Sequence, residues 1–193
     1  MRNNKFLFLI TVSYFILGMI NIHFALVGFV CMTIPIVLLI KDKKKTWCQG
    51  YCPRACLYNH TGKITKEFSL KTPRFFIKGP MKWIMLSYFV LSLTIIIITT
   101  IKVANGRHPA DFLKFLLIFP IKGMPQLFDI TSLEWLLHLS YRLYSMMMTT
   151  TIIGFVLSLV YKSRTWCTIC PIATVSSVYL KRSKNKAKAN KNM

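Results

Sequence analysis

Two stretches of this chain carry the same cysteine phrase: residues 45–56 read KTWCQGYCPRAC, and residues 164–174 read RTWCTICPIAT. Each phrase has a basic residue, Thr, Trp and Cys, a short gap, and then Cys-Pro. Cysteine thiolates are soft ligands that select iron–sulfur clusters, zinc or copper(I) rather than calcium or magnesium. The two phrases together supply four thiolates, the number that a [4Fe–4S] cluster requires. These candidate ligands are Cys48, Cys52, Cys167 and Cys170.

The segments around these phrases have the composition of a membrane protein. Of 193 residues, 54% are hydrophobic, and 26 Lys and Arg stand against only 5 Asp and Glu. Nucleic-acid-binding domains can be this basic but rarely contain apolar runs of membrane length, so we expect no nucleic-acid partner. The composition predicts an all-α integral membrane protein with the lipid bilayer as a partner. We expect about four transmembrane helices, at 6–21, 23–40, 83–101 and 143–161.

The remaining segments divide into a turn, a short apolar segment and a tail. The first apolar block would be about 50 Å long as one helix, so we expect a hairpin turn near 18–23; a cleaved signal peptide is the alternative. The segment 111–120 is short and ends in proline, which indicates an interfacial or re-entrant segment. Residues 1–180 then form a single membrane domain, followed by a basic disordered tail at 181–193.

Lysine and arginine are unevenly divided among the loops. They are dense between Ile40 and Ile84 and again after Tyr161, whereas 102–142 holds five of them and most of the acids. Basic loops stay on the cytoplasmic side of a membrane. We therefore expect a multi-pass protein of the inner (plasma) membrane, with both termini and two cysteine-motif loops in the cytoplasm.

Both phrases directly follow a predicted span. Ile40 lies eight residues before Cys48, and Tyr161 lies six residues before Cys167. Two helices that end on one face would bring both cysteine pairs to the cytoplasmic boundary, where the neighbouring tryptophans would shield a cluster from water. A cluster bound by four thiolates is anionic, and nearby cations stabilise it. The cations placed for this role are Lys43, Lys44, Lys45, Arg54 and Arg164.

The stretches TWCQGYCP and RTWCTICP, each behind an apolar span, resemble the paired cysteine-proline motifs of the NapH/NosR-like family of membrane 4Fe–4S binding proteins. The resemblance extends from about Ile22 to Val178. It implies a [4Fe–4S] cluster on the four cysteines and electron transfer between the quinone pool, or a membrane partner, and another redox protein. As an enzyme, the chain would be at most an electron-transfer subunit of an oxidoreductase system.

Three features differ from the family pattern. The second motif is Cys-x-x-Cys-Pro, one residue shorter than the first, and Ala55 and Ala173 stand where the family often has glycine. The soluble ferredoxin module of larger relatives is missing. We therefore expect the chain to supply the membrane half of an electron path and to need a redox partner protein.

Several other residues are weaker candidates. Cys56 lies one helical turn beyond the first Cys-Pro pair and is a further candidate ligand. His138 and Arg142 share a helix face and suit a quinone headgroup or haem, with interfacial anchoring as the favoured alternative. Cys31, inside the second span, is predicted to be a small buried apolar residue, and the MMMTTT run at 146–151 a packing surface.

Two other functions remain open. A membrane dithiol–disulfide protein would use Cys167 and Cys170 as its active pair, although such chemistry usually works on the oxidising face of the membrane. A structural zinc site would hold the same four cysteines together in a membrane scaffold or transporter. The repeated Cys-Pro phrase in a membrane setting favours iron over zinc.

Overall fold

The computed structural model describes residues 6–64, 69–73, 75–76, 80–106, 108, 113–115, 119–121 and 133–191. The described residues form seven α-helices, a 3-10 turn at Ile22–Leu26, a π-helical turn at Trp47–Tyr51 and a two-stranded antiparallel hairpin. The helices are α1 (Leu7–Ile20), α2 (Val27–Asp42), α3 (Pro53–Ile64), α4 (Met81–Ala104), α5 (Glu134–Val160), α6 (Thr165–Ile169) and α7 (Pro171–Lys191). The strands are β1 (Leu113–Phe115) and β2 (Phe119–Ile121).

Among the described residues, three helices are long and apolar enough, by length and composition, to cross a membrane: Ile22–Asp42, α4 and α5. They confirm the prediction of a helical, multi-pass membrane protein and coincide with the expected spans at 23–40, 83–101 and 143–161. The remaining expected span, 6–21, contains α1, which is apolar but has only 14 residues. It extends about 21 Å, less than the roughly 30 Å of a bilayer core.

The chain turns between α1 and α2 within the expected segment 18–23. Helix α1 ends at Ile20, Asn21 is extended, and its side-chain oxygen accepts the backbone N–H of His23 at 2.9 Å. Beyond the turn, the hydroxyl of Tyr14 donates to the carbonyl of Ala25 at 3.1 Å. These bonds satisfy polar groups at a break in an apolar segment.

The helices present apolar side chains outward and hydroxyl groups inward. On α4, Leu91 and Ile97 are each 57% exposed, whereas Ser140, Thr149 and Ser158 on α5 are almost fully buried. Each of these buried hydroxyls donates to a backbone carbonyl three or four residues earlier, at 2.8–2.9 Å. An apolar shell around a hydroxyl-lined interior is typical of helices that pack within lipid.

Helix α3 lies against α5 and runs in the same direction. The fully buried Tyr58 donates its hydroxyl to the carbonyl of Thr151 at 3.3 Å, and its ring covers Gly154. One turn further along α3, Gly62 lies directly against Ser163. A Cβ at either glycine would overlap the opposing side chain, so the close approach of α3 requires glycine at both positions.

Two segments have a secondary structure that the sequence did not predict. The described residues of 111–120, expected to form an interfacial or re-entrant segment, belong to the β1–β2 hairpin, and Leu113 is buried against Ile22 and Ala25. The alternation of apolar Leu113 and Phe115 around Lys114 has the period of a strand. The segment expected to be a disordered tail is helical as far as Lys191, since Lys and Ala favour helices and no Gly or Pro follows Pro171.

Candidate cysteine site

The two cysteine phrases form equivalent backbone turns. The carbonyl of Trp47 accepts the N–H of Cys52 at 3.0 Å, and the carbonyl of Trp166 accepts the N–H of Cys170 at 2.9 Å. The first bond spans five residues and closes a π-helical turn, whereas the second spans four and closes an α-helical turn. The π turn therefore absorbs the extra residue of the first phrase. In both phrases the following proline opens a helix, α3 or α7, where its missing N–H costs no hydrogen bond.

The four predicted cysteine ligands line one cavity of about 90 Å³. The phrases contribute both tryptophans to its wall, as expected, and α4 contributes Phe89. Helix α5 contributes Met146, Met147 and Thr150, and α2 contributes Cys31. From the sequence, Cys31 and the MMMTTT run at 146–151 were predicted to be packing residues. The three consecutive threonines at 149–151, inside an apolar span, were the sequence feature that could have indicated that this run lines a cavity.

The cavity lies deeper in the helix bundle than the expected position at the ends of the helices. On α4, Phe89 lies seven residues, or about 10 Å, from Lys82 at the end of the apolar stretch. The site reaches this depth because the chain turns back after α5. The returning α6 packs Trp166 and Ile169 against Ile153 and Leu157 of α5.

Cys56 is not among the residues that line this cavity. It lies on α3, where its N–H donates to the carbonyl of Cys52 at 3.2 Å. The equivalent position in the second phrase is Thr174, whose N–H donates to the carbonyl of Cys170 at 3.0 Å. The structure therefore brings the four predicted ligands and Cys31 to one cavity and leaves Cys56 on the side of α3.

The thiols are buried and lie within electrostatic reach of one another. Burial raises the pKa of all three thiols that follow: Cys48, Cys52 (to about 11) and Cys167 (to about 12). Cys170 raises the pKa of Cys48 and Cys52 further, and Cys52 raises that of Cys167. Like charges oppose each other's ionisation only at short range, so these couplings link the first phrase to the second.

Among the four predicted ligands, Lys45 lowers the pKa of Cys48, Arg54 lowers that of Cys52 and Arg164 lowers that of Cys167. Arg54 is held inside the bundle, where it donates to the hydroxyl of Thr150 at 3.0 Å and to the carbonyl of Met147 at 3.4 Å. Two further cations expected near the site, Lys43 and Lys44, are exposed.

The spacing of the thiols differs from that of a preformed single-ion site. Within the described ranges, no group of three or more His, Cys, Asp or Glu side chains is close enough to hold a metal ion. Zinc binds thiolate sulfur at about 2.3 Å, which requires the sulfurs to lie within roughly 4 Å of one another. The four thiols share a cavity without meeting at one point.

His138 and Arg142 lie elsewhere in the fold. His138 is only 2% exposed, and its Nδ1 lies 3.3 Å from the hydroxyl of Thr100 on α4. Arg142 Nε donates to His138 Nε2 at 3.5 Å. On α5, Met147 lies nine positions after His138, which corresponds to about 14 Å along the helix. Helix α4 covers this part of α5, so His138 lies inside the bundle rather than on its surface.

Comparisons of the chain with protein-family models, curated proteins and solved structures find no match. The relation to the NapH/NosR-like family therefore stays a prediction that depends on the two cysteine phrases and the spans before them.

Proposed function

We propose that this chain is a membrane-bound [4Fe–4S] electron-transfer protein whose cluster is held by Cys48, Cys52, Cys167 and Cys170. The observation that carries the proposal is that two equivalent turns, far apart in the sequence, direct four thiols into one cavity. When bound, such a cluster supplies one-electron transfer, and its potential depends on the charge and hydrogen bonding around it.

The surrounding residues suit this role. Trp166 is 3% exposed and the half-buried Trp47 lies on the same cavity, so the two rings exclude water from the thiols. Lys45, Arg54 and Arg164 offset the negative charge of a thiolate-bound cluster. With 5 acids in the whole chain, little opposing charge competes with these cations.

The same features favour a cluster over the two alternatives. A cluster distributes its four cysteines over four irons, so the cysteines need only line one cavity, as these four do. Reactive dithiols have lowered pKa values, whereas burial raises the pKa of Cys52 and Cys167. A reactive dithiol–disulfide pair therefore suits these buried thiols less well, and the repeated Cys-Pro phrase favours iron over zinc.

We further propose the orientation and partners that the sequence predicts. Helices α1 and α2 would form a hairpin of two spans, with α4 and α5 as the third and fourth. Both termini and both phrases would then face the cytoplasm, since Lys and Arg concentrate on that side. Electrons would pass between the quinone pool or a membrane partner and another redox protein, in the manner of NapH/NosR-like proteins.

The proposal is tested by metal analysis of the full chain purified anaerobically. We expect about four irons and as many acid-labile sulfides per chain, with a broad visible absorption that reductant bleaches. Serine in place of Cys52 or Cys167 should abolish the absorption. Cys56→Ser is the matched control, because Cys56 lies on α3 outside the cavity. Stoichiometric zinc without iron after anaerobic reconstitution would refute the assignment.

A further inference from the structure

Each cysteine phrase begins with a cation whose side chain reaches the helix that follows the other phrase. Lys45 Nζ donates to Ser177 Oγ on α7 at 2.7 Å, and Arg164 Nε donates to Asn59 Oδ1 on α3 at 3.1 Å. The partners of the first bond lie 132 residues apart in the sequence, and those of the second lie 105 residues apart. Because α3 follows the first phrase and α7 follows the second, the two bonds connect the phrases crosswise.

The four bonded residues occupy equivalent positions in the two halves of the site. Both cations lie three residues before the first cysteine of their phrase, and both acceptors lie seven residues after the second cysteine of theirs. A long surface cation often contacts whichever oxygen is near, but such a contact has no reason to recur at the matching position in the opposite direction. The two bonds therefore repeat together with the two backbone turns.

The hydroxyl of Ser177 is oriented to accept a hydrogen bond from Lys45. Its hydrogen is donated to the carbonyl of Ala173, one turn earlier on α7, at 2.7 Å, so its oxygen is left as the acceptor. Lys45 is half-buried, whereas Lys43 and Lys44 are exposed. The side chain of Lys45 is thus held against α7 rather than extended into solvent.

The two bonds also hold each cation near a thiol of its own phrase. The charge of Lys45 lowers the pKa of Cys48, and the charge of Arg164 lowers the pKa of Cys167. These are the first cysteines of the two phrases, so the equivalence extends to the electrostatics of the site. Loss of one bond would release both a phrase and the cation that favours its thiolate.

We propose that Lys45 and Arg164 are positioning residues that hold the two phrases in register, each by fixing its own phrase to the helix behind the other phrase. The inference rests on the proposed shared site, because it concerns how the two halves of that site are kept together, but it requires no bound metal. Both bonds are exposed to solvent, so their loss should open the phrases locally rather than unfold the chain.

The test is hydrogen–deuterium exchange, measured by mass spectrometry on the full, metal-free chain in micelles, in peptides over 45–52 and 164–170. Ser177→Ala should increase exchange in the first phrase about fivefold, the factor that corresponds to a hydrogen bond of about 1 kcal/mol, and leave the second phrase unchanged. Asn59→Ala should do the reverse. A purely local effect would instead increase exchange in the substituted helix and in the phrase that precedes it.

Variants of the donors and a conservative variant complete the test. Lys45→Met and Arg164→Met should each reproduce the loss of the corresponding acceptor, and Lys45→Met combined with Ser177→Ala should exchange no faster than either single variant. Lys41→Met and Lys162→Met are the matched controls, because both lysines are exposed and lie a few residues before the same phrases. Ser177→Thr keeps the hydroxyl and should exchange as the unmodified chain does.

Iron release to a chelator is measured in parallel on the cluster-loaded chain and should accelerate about fivefold in Ser177→Ala and in Asn59→Ala. Failure of the unmodified chain to bind iron would refute the proposed cluster, whereas the exchange pattern of the metal-free chain decides the role of the two cations. If an alanine variant fails to fold, the methionine variant of its partner gives the same test.

Three results overturn the proposal: unchanged exchange in the opposite phrase, an increase confined to the helix that carries the substitution, or an equal increase in the lysine controls. A loaded chain that releases iron at the unmodified rate in both alanine variants would also overturn it.

Discussion

Replacing Gly154 with alanine tests whether the contact between α3 and α5 positions the cysteine site. A Cβ at this position would lie 2.9 Å from Cε2 of Tyr58 and closer still to Cζ and the hydroxyl. Ordinary carbon–carbon contacts are about 3.5–4.0 Å, so α3 must retreat by roughly 1 Å or the ring must turn. Overpacking of this kind destabilises a protein by about 1–3 kcal/mol. Cys52, at the start of α3, would move away from the second phrase.

The assay is SDS-induced unfolding in mixed micelles, together with iron per chain. We expect Gly154→Ala to unfold at a lower SDS fraction and to lose iron. In the double variant with Tyr58→Phe, the loss of stability should be smaller than the sum of the losses in the two single variants. Gly50→Ala is the control, since a Cβ there meets nothing within 4 Å although Gly50 lies in the first phrase. An unchanged unfolding midpoint and iron content in Gly154→Ala would refute the packing argument.

Three further predictions concern proton release, potential and orientation. Because burial raises the pKa of Cys52 to about 11 and that of Cys167 to about 12, both thiols are protonated at neutral pH and must lose protons to bind metal. The iron incorporated per chain should therefore increase between about pH 6.5 and about pH 8.5, and an iron content that does not change with pH would contradict this. Arg54→Leu should show a lower midpoint potential than Arg54→Lys in a redox titration, because a cation stabilises the more negative reduced cluster; equal potentials would exclude this role. Reporter fusions after Ile40 and at the C-terminus should read cytoplasmic and one near Asn105 external, whereas an external signal near Lys63 would reverse the orientation.

The sequence predicted features that local patterns determine. The apolar blocks at 83–101 and 143–161 coincide with α4 and α5, because length and hydropathy are properties of one segment. The repeat of the phrase was visible in the sequence, and in the structure the second cysteine of each phrase donates its N–H to the tryptophan carbonyl of its own phrase. The one-residue difference between the phrases was visible in the sequence, but the π-helical turn that accommodates the extra residue could not be predicted from it.

Features that depend on packing between distant segments could not be predicted. The depth of the cysteine cavity depends on the packing of α6 against α5 and on Gly62 and Gly154, which allow the close approach of α3 to α5. Neither feature has a local hydropathy signal. The place of Cys31 on the cavity wall depends on which face α2 turns inward. The burial of His138 likewise depends on Thr100, which lies 38 residues earlier on α4.

The central claim, that the two phrases hold one shared cluster, is tested most directly by iron per chain in half-site variants. Two cysteines alone leave a four-thiolate site half open, so Cys48→Ser and Cys170→Ser should each lose the whole cluster and its visible absorption. We expect iron to fall from about four per chain to near zero in both variants, with Cys56→Ser close to the unmodified chain. Retention of about half the iron in either variant would instead mean that each phrase holds a separate centre.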